Sequence, residues 1–197
     1  MTKDELIDFE KEVARRFEAG EIRAPIHLSG GVEDQLLEIF QDISRDDLVL
    51  SYWRSHYHAL LHGIHPDEVM RQILAGRSMH INSLQPWFYA SSIVGGILPI
   101  AVGLGMAIKR KGENRHVWVF CGDMTARTGI FFESITYARN FDLPVTFVIE
   151  SNGVCVMTPT NETWGGSQDW SEYFPNVITY EYEPSWPHSG TGKFVSF

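Results

Sequence analysis

The sequence predicts an α/β fold built on parallel strands, and three observations within one stretch predict it. Residues 116–121 (HVWVFC) form a short apolar run between turn signals, the pattern of a buried strand. Residues 128–141 (TGIFFESITYARNF) place Ile130, Phe131, Ile135 and Ala138 at helical spacing. Residues 143–150 (LPVTFVIE) are rich in β-branched side chains and have a proline at the entry. Strand, helix and strand in this order make a βαβ unit, whose strands are almost always parallel with a right-handed crossover. Both strands then end on the same edge of the sheet, the edge at which open α/β sheets bind ligands.

Upstream, residues 3–19 read as a helix: Leu6, Ile7, Phe9, Val13 and Phe17 fall near a 3.6-residue period and Gly20 follows as a stop. Residues 32–43 read as a second helix, and the loop between them (RAPIHLSGG) contains His27. Another loop (LSYWRSH, 50–56) leads into a short helix. The stretch HPDEVMRQILAG has the proline and acids of a helix start and the glycine of a helix stop. In GGILPIAVGLGMAIKRKG (95–112) the spacing predicts a buried helix, whose glycines and alanines permit close packing against a sheet or another subunit.

At 197 residues, 44% hydrophobic and 13% aromatic, the chain is expected to be one domain with a helical N-terminal arm over residues 1–45. A net charge of −9 without a long basic run argues against nucleic acid or an anionic membrane as partner. The cluster Lys109-Arg110-Lys111 reads as the solvated C-terminus of a helix. The acidic start lacks the apolar core of a signal peptide, and no apolar run is long enough to span a bilayer. Cys121 and Cys155 make neither a metal spacing nor a disulfide framework, so a reducing cytoplasm is the expected location.

Asp123 and Asn152 come just past the two predicted strand ends, so the crossover brings them together. An aspartate, an asparagine carbonyl and a nearby backbone carbonyl form a hard oxygen set that suits Mg²⁺, which keeps phosphate oxygens and water among its ligands. Thr125 to Gly129 open the following helix, where N–H groups and the helix dipole favour a phosphate. A simpler reading makes Asp123 a helix cap and Asn152 a turn residue, and the residues alone leave both open.

Gly122-Asp123 and Ser151-Asn152 resemble the two ends of the thiamine-diphosphate motif, which begins Gly-Asp-Gly and ends Asn-Asn. The sequence between them resembles the alpha subunit of 2-oxo acid dehydrogenase first components, of the pyruvate dehydrogenase type. Four upstream segments are similar to that family in the same order: IHLSGGVED, YWRSH, GRSMH and SSIVGGILPIAVGLGMA. The resemblance covers roughly residues 20–160. It implies a three-layer thiamine-diphosphate-binding fold around a central, mostly parallel sheet, with thiamine diphosphate and Mg²⁺ as cofactors. Asp123, Asn152 and the Val154 backbone carbonyl would be the metal ligands. Gly122, Asp123, Met124, Thr125 and Asn152 would surround the diphosphate, with Trp53 and Arg54 contacting it. Ser92 to Val94 would hold the aminopyrimidine through main-chain groups. His27 would face the substrate as proton donor or transition-state stabiliser, and His56 and His80 match family histidines near the same cleft. The other histidines, His58, His62, His65 and His116, read as surface or packing residues, as does His188, whose tail segment has no counterpart in the motif.

The departures from the family pattern are specific. Met124 replaces the third glycine of the motif, Trp53 a tyrosine, Ser151 the first asparagine and Ser92 a glycine. Family alpha subunits bring a histidine-bearing loop over the diphosphate, for which His188 and Lys193 are the candidate partial substitutes. The glutamate that activates the cofactor belongs in this superfamily to a pyrimidine-binding domain. The resemblance therefore implies a beta-like partner subunit, in an α2β2 heterotetramer, and a small 2-oxo acid substrate. Acyloin-forming or transketolase-like carboligation is the alternative chemistry. A non-catalytic structural or regulatory partner retaining the fold is the alternative of a different class, motivated by Met124 and Trp53. Against it, Asp123, Asn152, Arg54 and His27 are all kept. A generic nucleotide-binding domain is disfavoured because no glycine-rich Rossmann or Walker loop is present.

Overall fold

The computed structural model describes residues 1–165 and 169–196. In chain order its elements are α1 (Lys3–Glu18), α2 (Glu33–Ile39), β1 (Leu48–Ser51), α3 (His56–Leu61), α4 (Pro66–Leu74), β2 (Asn82–Leu84), β3 (Trp87–Ala90), α5 (Ile97–Lys111), β4 (Val117–Gly122), α6 (Gly129–Asn140), β5 (Val145–Ser151), β6 (Val154–Cys155), β7 (Thr158–Pro159), α7 (Thr160–Trp164) and β8 (Val177–Glu181). They form two compact units. One comprises Met1–Arg45, Trp53–Ser92 and Glu183–Phe197, the other Asp46–Tyr52 and Ile93–Tyr182.

The second unit is the α/β layer that the βαβ pattern predicts. Its strands pair in the order β1, β4, β5, β8, and every pair is parallel. β4 pairs β5 from Val117↔Val145 to Gly122↔Glu150, so the two strands reach the same edge in step. The fully buried side chains Val119, Phe120, Phe131, Ile135, Phe147 and Val148 make its core. Phe131 on α6 meets Phe147 on β5 edge-on at 5.9 Å, which clamps the crossover helix to the sheet. α5 lies close to the sheet at Gly105, where an added Cβ would stand 2.4 Å from Val145 Cγ2. Its basic end is exposed, as the sequence suggests, and Lys109 also caps the neighbouring helix. Lys109 Nζ donates to the carbonyls of Phe141 at 2.7 Å and Asp142 at 2.9 Å, just past the C-terminus of α6. A cation there satisfies orphan carbonyls and complements the helix dipole.

The first unit is mainly helical. α1 starts with a capping box: Thr2 Oγ1 accepts the Glu5 N–H, and the Glu5 carboxylate accepts the Thr2 N–H. It buries Leu6, Glu10, Val13 and Phe17 along one stripe, so a carboxylate stands in an otherwise apolar row. α4 starts with His65 as its cap and Pro66 in its first turn. β2 and β3 form an antiparallel hairpin. The loop carrying His27 is closed by the segment after β8. Ser185 N–H donates to the Gly30 carbonyl at 3.0 Å and Gly190 N–H to the Ile26 carbonyl at 2.9 Å. Gly31 has φ +106° and lies so near Glu183 that a Cβ would stand 2.2 Å from its carbonyl oxygen. Only glycine fits there.

The elements read from the sequence agree with the structure to within a few residues, with two exceptions. Thr125–Arg127, read as opening the crossover helix, form a separate 3-10 turn before α6, which starts at Gly129 after an extended Thr128. Leu50 and Ser51, read as loop, end the buried strand β1. Four residues buried on both faces carry no alternation that separates a strand from a loop entry. Among the described residues, no helix is long and apolar enough to cross a membrane.

Candidate functional site

In the α/β unit, the polar residues that follow β4 and β5 meet at the C-terminal edge of the sheet. Asp123 directly follows β4. Its Oδ1 accepts the Met124 N–H at 2.9 Å, and its carboxylate is also bonded by the Gly153 N–H, across the gap to the end of β5. The other oxygen, Oδ2, is buried without a hydrogen-bond partner. Burial pushes the Asp123 carboxyl above its ordinary range, against the backbone N–H bonds and the Arg127 charge that lower it. A carboxylate oxygen so placed has water removed and nothing put in its stead, which is the condition a cation relieves.

Asn152 directly follows β5. Its Oδ1 accepts the Val154 N–H at 3.1 Å, and its Nδ2 donates to the Tyr182 hydroxyl at 3.4 Å. Tyr182 is itself held by its N–H on the Ser151 carbonyl at 2.9 Å. Between Asn152 and Val154, Gly153 adopts φ +70°, and its carbonyl accepts from Thr160 N–H at 2.8 Å. Val154 pairs with Pro159 in the β6–β7 hairpin. Proline has no N–H, so β7 offers no donor to the Val154 carbonyl. Asn152 and Val154 share one tight turn after β5, and Asp123 follows the neighbouring parallel strand, whose Gly122 pairs with Glu150.

Met124, the departure from the motif, sits at φ −71° and ψ −30°, an ordinary right-handed conformation open to any L-residue. The backbone here does not require glycine. Met124 opens a single 3-10 turn, Thr125–Arg127, before α6. Thr125 is buried and accepts from the Thr128 hydroxyl at 2.7 Å. At Gly122 an added Cβ would meet only open space. A cavity of about 230 Å³ adjoins Asp123 and is lined also by Arg127, Ser151, Thr160, Tyr180 and Glu181. Beneath it the Tyr180 hydroxyl donates to the buried Glu150. Among the described residues, no three His, Cys, Asp or Glu side chains gather to hold a metal.

The helical unit gathers the cationic and imidazole residues. Arg54 is 5% exposed; its NH1 donates to the Leu28 carbonyl at 3.1 Å and its NH2 lies 3.2 Å from His188 Nδ1. A guanidinium can only donate, so His188 accepts at Nδ1 and carries its proton on Nε2. Two of the five Arg54 N–H donors are engaged in this way. His27 packs edge-on against His188 at 5.2 Å and against Trp53 at 6.1 Å, and its Nδ1 is buried without a partner. His188, which the sequence marks only as a tail residue, thus belongs to this cluster. Glu10, which bonds the Ser29 N–H and His56 Nδ1, was signalled only by its place on the apolar stripe of α1.

Burial, helped by Arg54 and then His188 and His56, holds His27 down at about 4. At pH 7 the ring is therefore neutral and works as a hydrogen-bonding group rather than as an imidazolium acid. The folded chain accepts this proton less readily than the unfolded one, whose histidine titrates near 6.5. The contribution of His27 to stability is thus present above pH 6.5 and is lost as pH falls towards 4. Thermal melts between pH 7 and 4 should show wild type losing more stability across that window than His27→Asn. Equal losses would contradict the buried neutral ring.

His56 and His80 are placed differently. His56 is wholly buried, with Glu10 at Nδ1 and Ser78 at Nε2, and so does not reach a cleft surface. His80 is exposed and its Nε2 lies 2.9 Å from Ser92 Oγ. Val94 is 56% exposed. Of the remaining histidines, His58 and His62 are buried, His65 is an exposed cap, and His116 pairs with Thr146 at 2.9 Å.

The chain is similar in sequence to subunits of known enzymes. The alpha subunit of acetoin:2,6-dichlorophenolindophenol oxidoreductase from Cupriavidus necator is 33% identical over 161 residues, covering 77% of this chain and 48% of that protein. The corresponding subunit from Bacillus subtilis is 31% identical over 165 residues, covering 79% and 50%. The pyruvate dehydrogenase E1 component subunit alpha of Rickettsia bellii is 30% identical over 154 residues, covering 73% and 47%. The chain therefore spans about half the length of these relatives. The family model described as dehydrogenase E1 component matches residues 1–168, the greater part of the sequence, and the chain belongs to the dehydrogenase E1 component family.

Proposed function

We propose that this chain is the diphosphate-binding, alpha-like subunit of a two-chain enzyme that uses thiamine diphosphate and Mg²⁺ on a small 2-oxo acid. The observation that carries the reading is Asp123: a buried carboxylate oxygen without a partner, on a side chain bonded across to Gly153 at the end of the neighbouring parallel strand. On this reading Asp123 and Asn152 Oδ1 are the side-chain ligands of Mg²⁺ and the Val154 carbonyl is the third. Backbone groups of Gly122, Met124 and Thr125 face the diphosphate. Arg54 meets diphosphate charge through its remaining donors, with Trp53 beside it. Main-chain groups of Ser92 to Val94 hold the aminopyrimidine. When bound, thiamine diphosphate supplies the nucleophilic carbon and the electron sink. His27, kept neutral, gives or accepts a hydrogen bond at the substrate. A beta-like partner supplies the activating glutamate, in an α2β2 assembly, and residues 1–197 act as one diphosphate-binding domain. The free thiols of Cys121 and Cys155 accord with a cytoplasmic location.

A second reading has support from the relatives. Two of them are named for acetoin, which extends the substrate class to acyloins. The test uses the chain co-purified with its partner, with pyruvate or acetoin as substrate and a reducible dye as acceptor. His27→Ala is expected to keep cofactor affinity and lose about 100-fold or more in turnover, the scale of a preorganised hydrogen-bonding group at the reacting centre. An unimpaired rate would remove His27 from the mechanism. Turnover of neither substrate class by a cofactor-loaded pair would favour a non-catalytic role.

A further inference from the structure

Glu10 stands where an apolar side chain is expected. It follows Leu6 and precedes Val13 and Phe17 on the buried stripe of α1, and it is wholly buried. A carboxylate in such a place must be satisfied from several sides, because an unpaired buried charge is strongly destabilising. Its Oε2 accepts the Ser29 backbone N–H at 2.7 Å, and its Oε1 lies 3.1 Å from His56 Nδ1. A carboxylate only accepts, so His56 carries its proton on Nδ1. His56 Nε2 is then left to accept from the Ser78 hydroxyl at 2.9 Å. His56 and Ser78 are both fully buried, and Ser29 nearly so.

The two groups that Glu10 holds occupy matching places in the chain. Ser29 lies just beyond His27, and His56 just beyond Arg54, each with one residue between. The ring closes through Ser29, whose hydroxyl donates to the Arg54 carbonyl at 3.3 Å, and through Arg54, whose NH1 donates to the Leu28 carbonyl. We propose that Glu10 is a positioning residue: its two carboxylate oxygens set the spacing of the His27 and Arg54 segments, and His56 relays that hold to the second. His56 is then a positioning residue as well. The functional weight of this link rests on the proposed roles of His27 and Arg54; the link itself does not.

Two substitutions separate reach from charge. Glu10→Asp keeps the charge but is shorter by about 1.5 Å, one carbon–carbon bond, and cannot span both segments. Glu10→Gln keeps the length. Its carbonyl accepts from Ser29, its amide donates to His56 Nδ1, and the imidazole proton moves to Nε2 and is donated to Ser78. Every bond survives, with the tautomer of His56 reversed. The readout is the ring titration of His27, followed by NMR in the full chain without cofactor. Loss of stability alone does not move a native-state titration.

Glu10→Asp is expected to raise the His27 midpoint by about one pH unit, as the ring relaxes from burial beside Arg54. Glu10→Gln should leave that midpoint in place while the ¹⁵N signals of His56 exchange roles. If both variants fold and neither moves His27, or if Gln moves it as much as Asp, the proposal is overturned. Should Glu10→Asp not fold, hydrogen exchange in wild type decides. Ser29 lies outside any helix or strand, yet its amide must exchange slowly, and fast exchange overturns the proposal. A chain that shows the Asp effect but binds no cofactor would overturn the functional reading alone.

Discussion

Asp123→Asn is expected to act in opposite directions on stability and on ligand binding. Without divalent cation, the variant should melt at a higher temperature than wild type, because it removes a charge whose Oδ2 is buried without a partner. The amide oxygen can still accept the Met124 N–H that Asp123 Oδ1 accepts at 2.9 Å. With Mg²⁺ present, affinity for thiamine diphosphate should fall by more than the roughly 10–100-fold that loss of an outer-shell partner costs a metal site. Melting curves in EDTA and calorimetric titration in Mg²⁺ read the two effects separately. A variant that melts lower in EDTA and binds as wild type would mean that Asp123 is a turn cap.

Phe131→Ala should have the largest effect on folding. Phe131 is fully exposed to no solvent, meets Phe147 at 5.9 Å and Trp170 at 5.6 Å, and lies in the first turn of the crossover helix. Truncating a buried phenylalanine costs about 3–5 kcal/mol, a large part of the stability of a domain. Denaturant unfolding measures it, and a loss below about 1 kcal/mol would show that the site relaxes around the gap. The same packing holds α6 against the sheet. A folded Phe131→Ala chain is therefore also expected to bind the metal–diphosphate pair more weakly.

The βαβ unit was legible because its signals are local. Apolar runs, a helical period and turn residues placed β4, α6 and β5, and parallel register then carried Asp123 and Asn152 to one edge. β1 and β8 were less legible, since short strands take their identity from neighbours in the sheet. In the site, residue types with a chemical signature stood out, as with Asp123, Asn152, Arg54 and His27. What could not be read was long-range pairing. Nothing in the sequence near His188 points to Arg54, and nothing near Glu10 points to Ser29 and His56. Met124 illustrates the converse. As a letter it breaks the motif, but its backbone occupies a region that glycine and methionine share.

Mg²⁺-dependent binding of thiamine diphosphate tests the central claim most directly. The measurement is a calorimetric titration of thiamine diphosphate into the chain, alone and co-purified with the proposed beta-like partner, first in Mg²⁺ and then in EDTA. A saturable heat in Mg²⁺ that disappears in EDTA and in Asp123→Asn is the predicted result. No saturable Mg²⁺-dependent binding in either preparation would contradict the account.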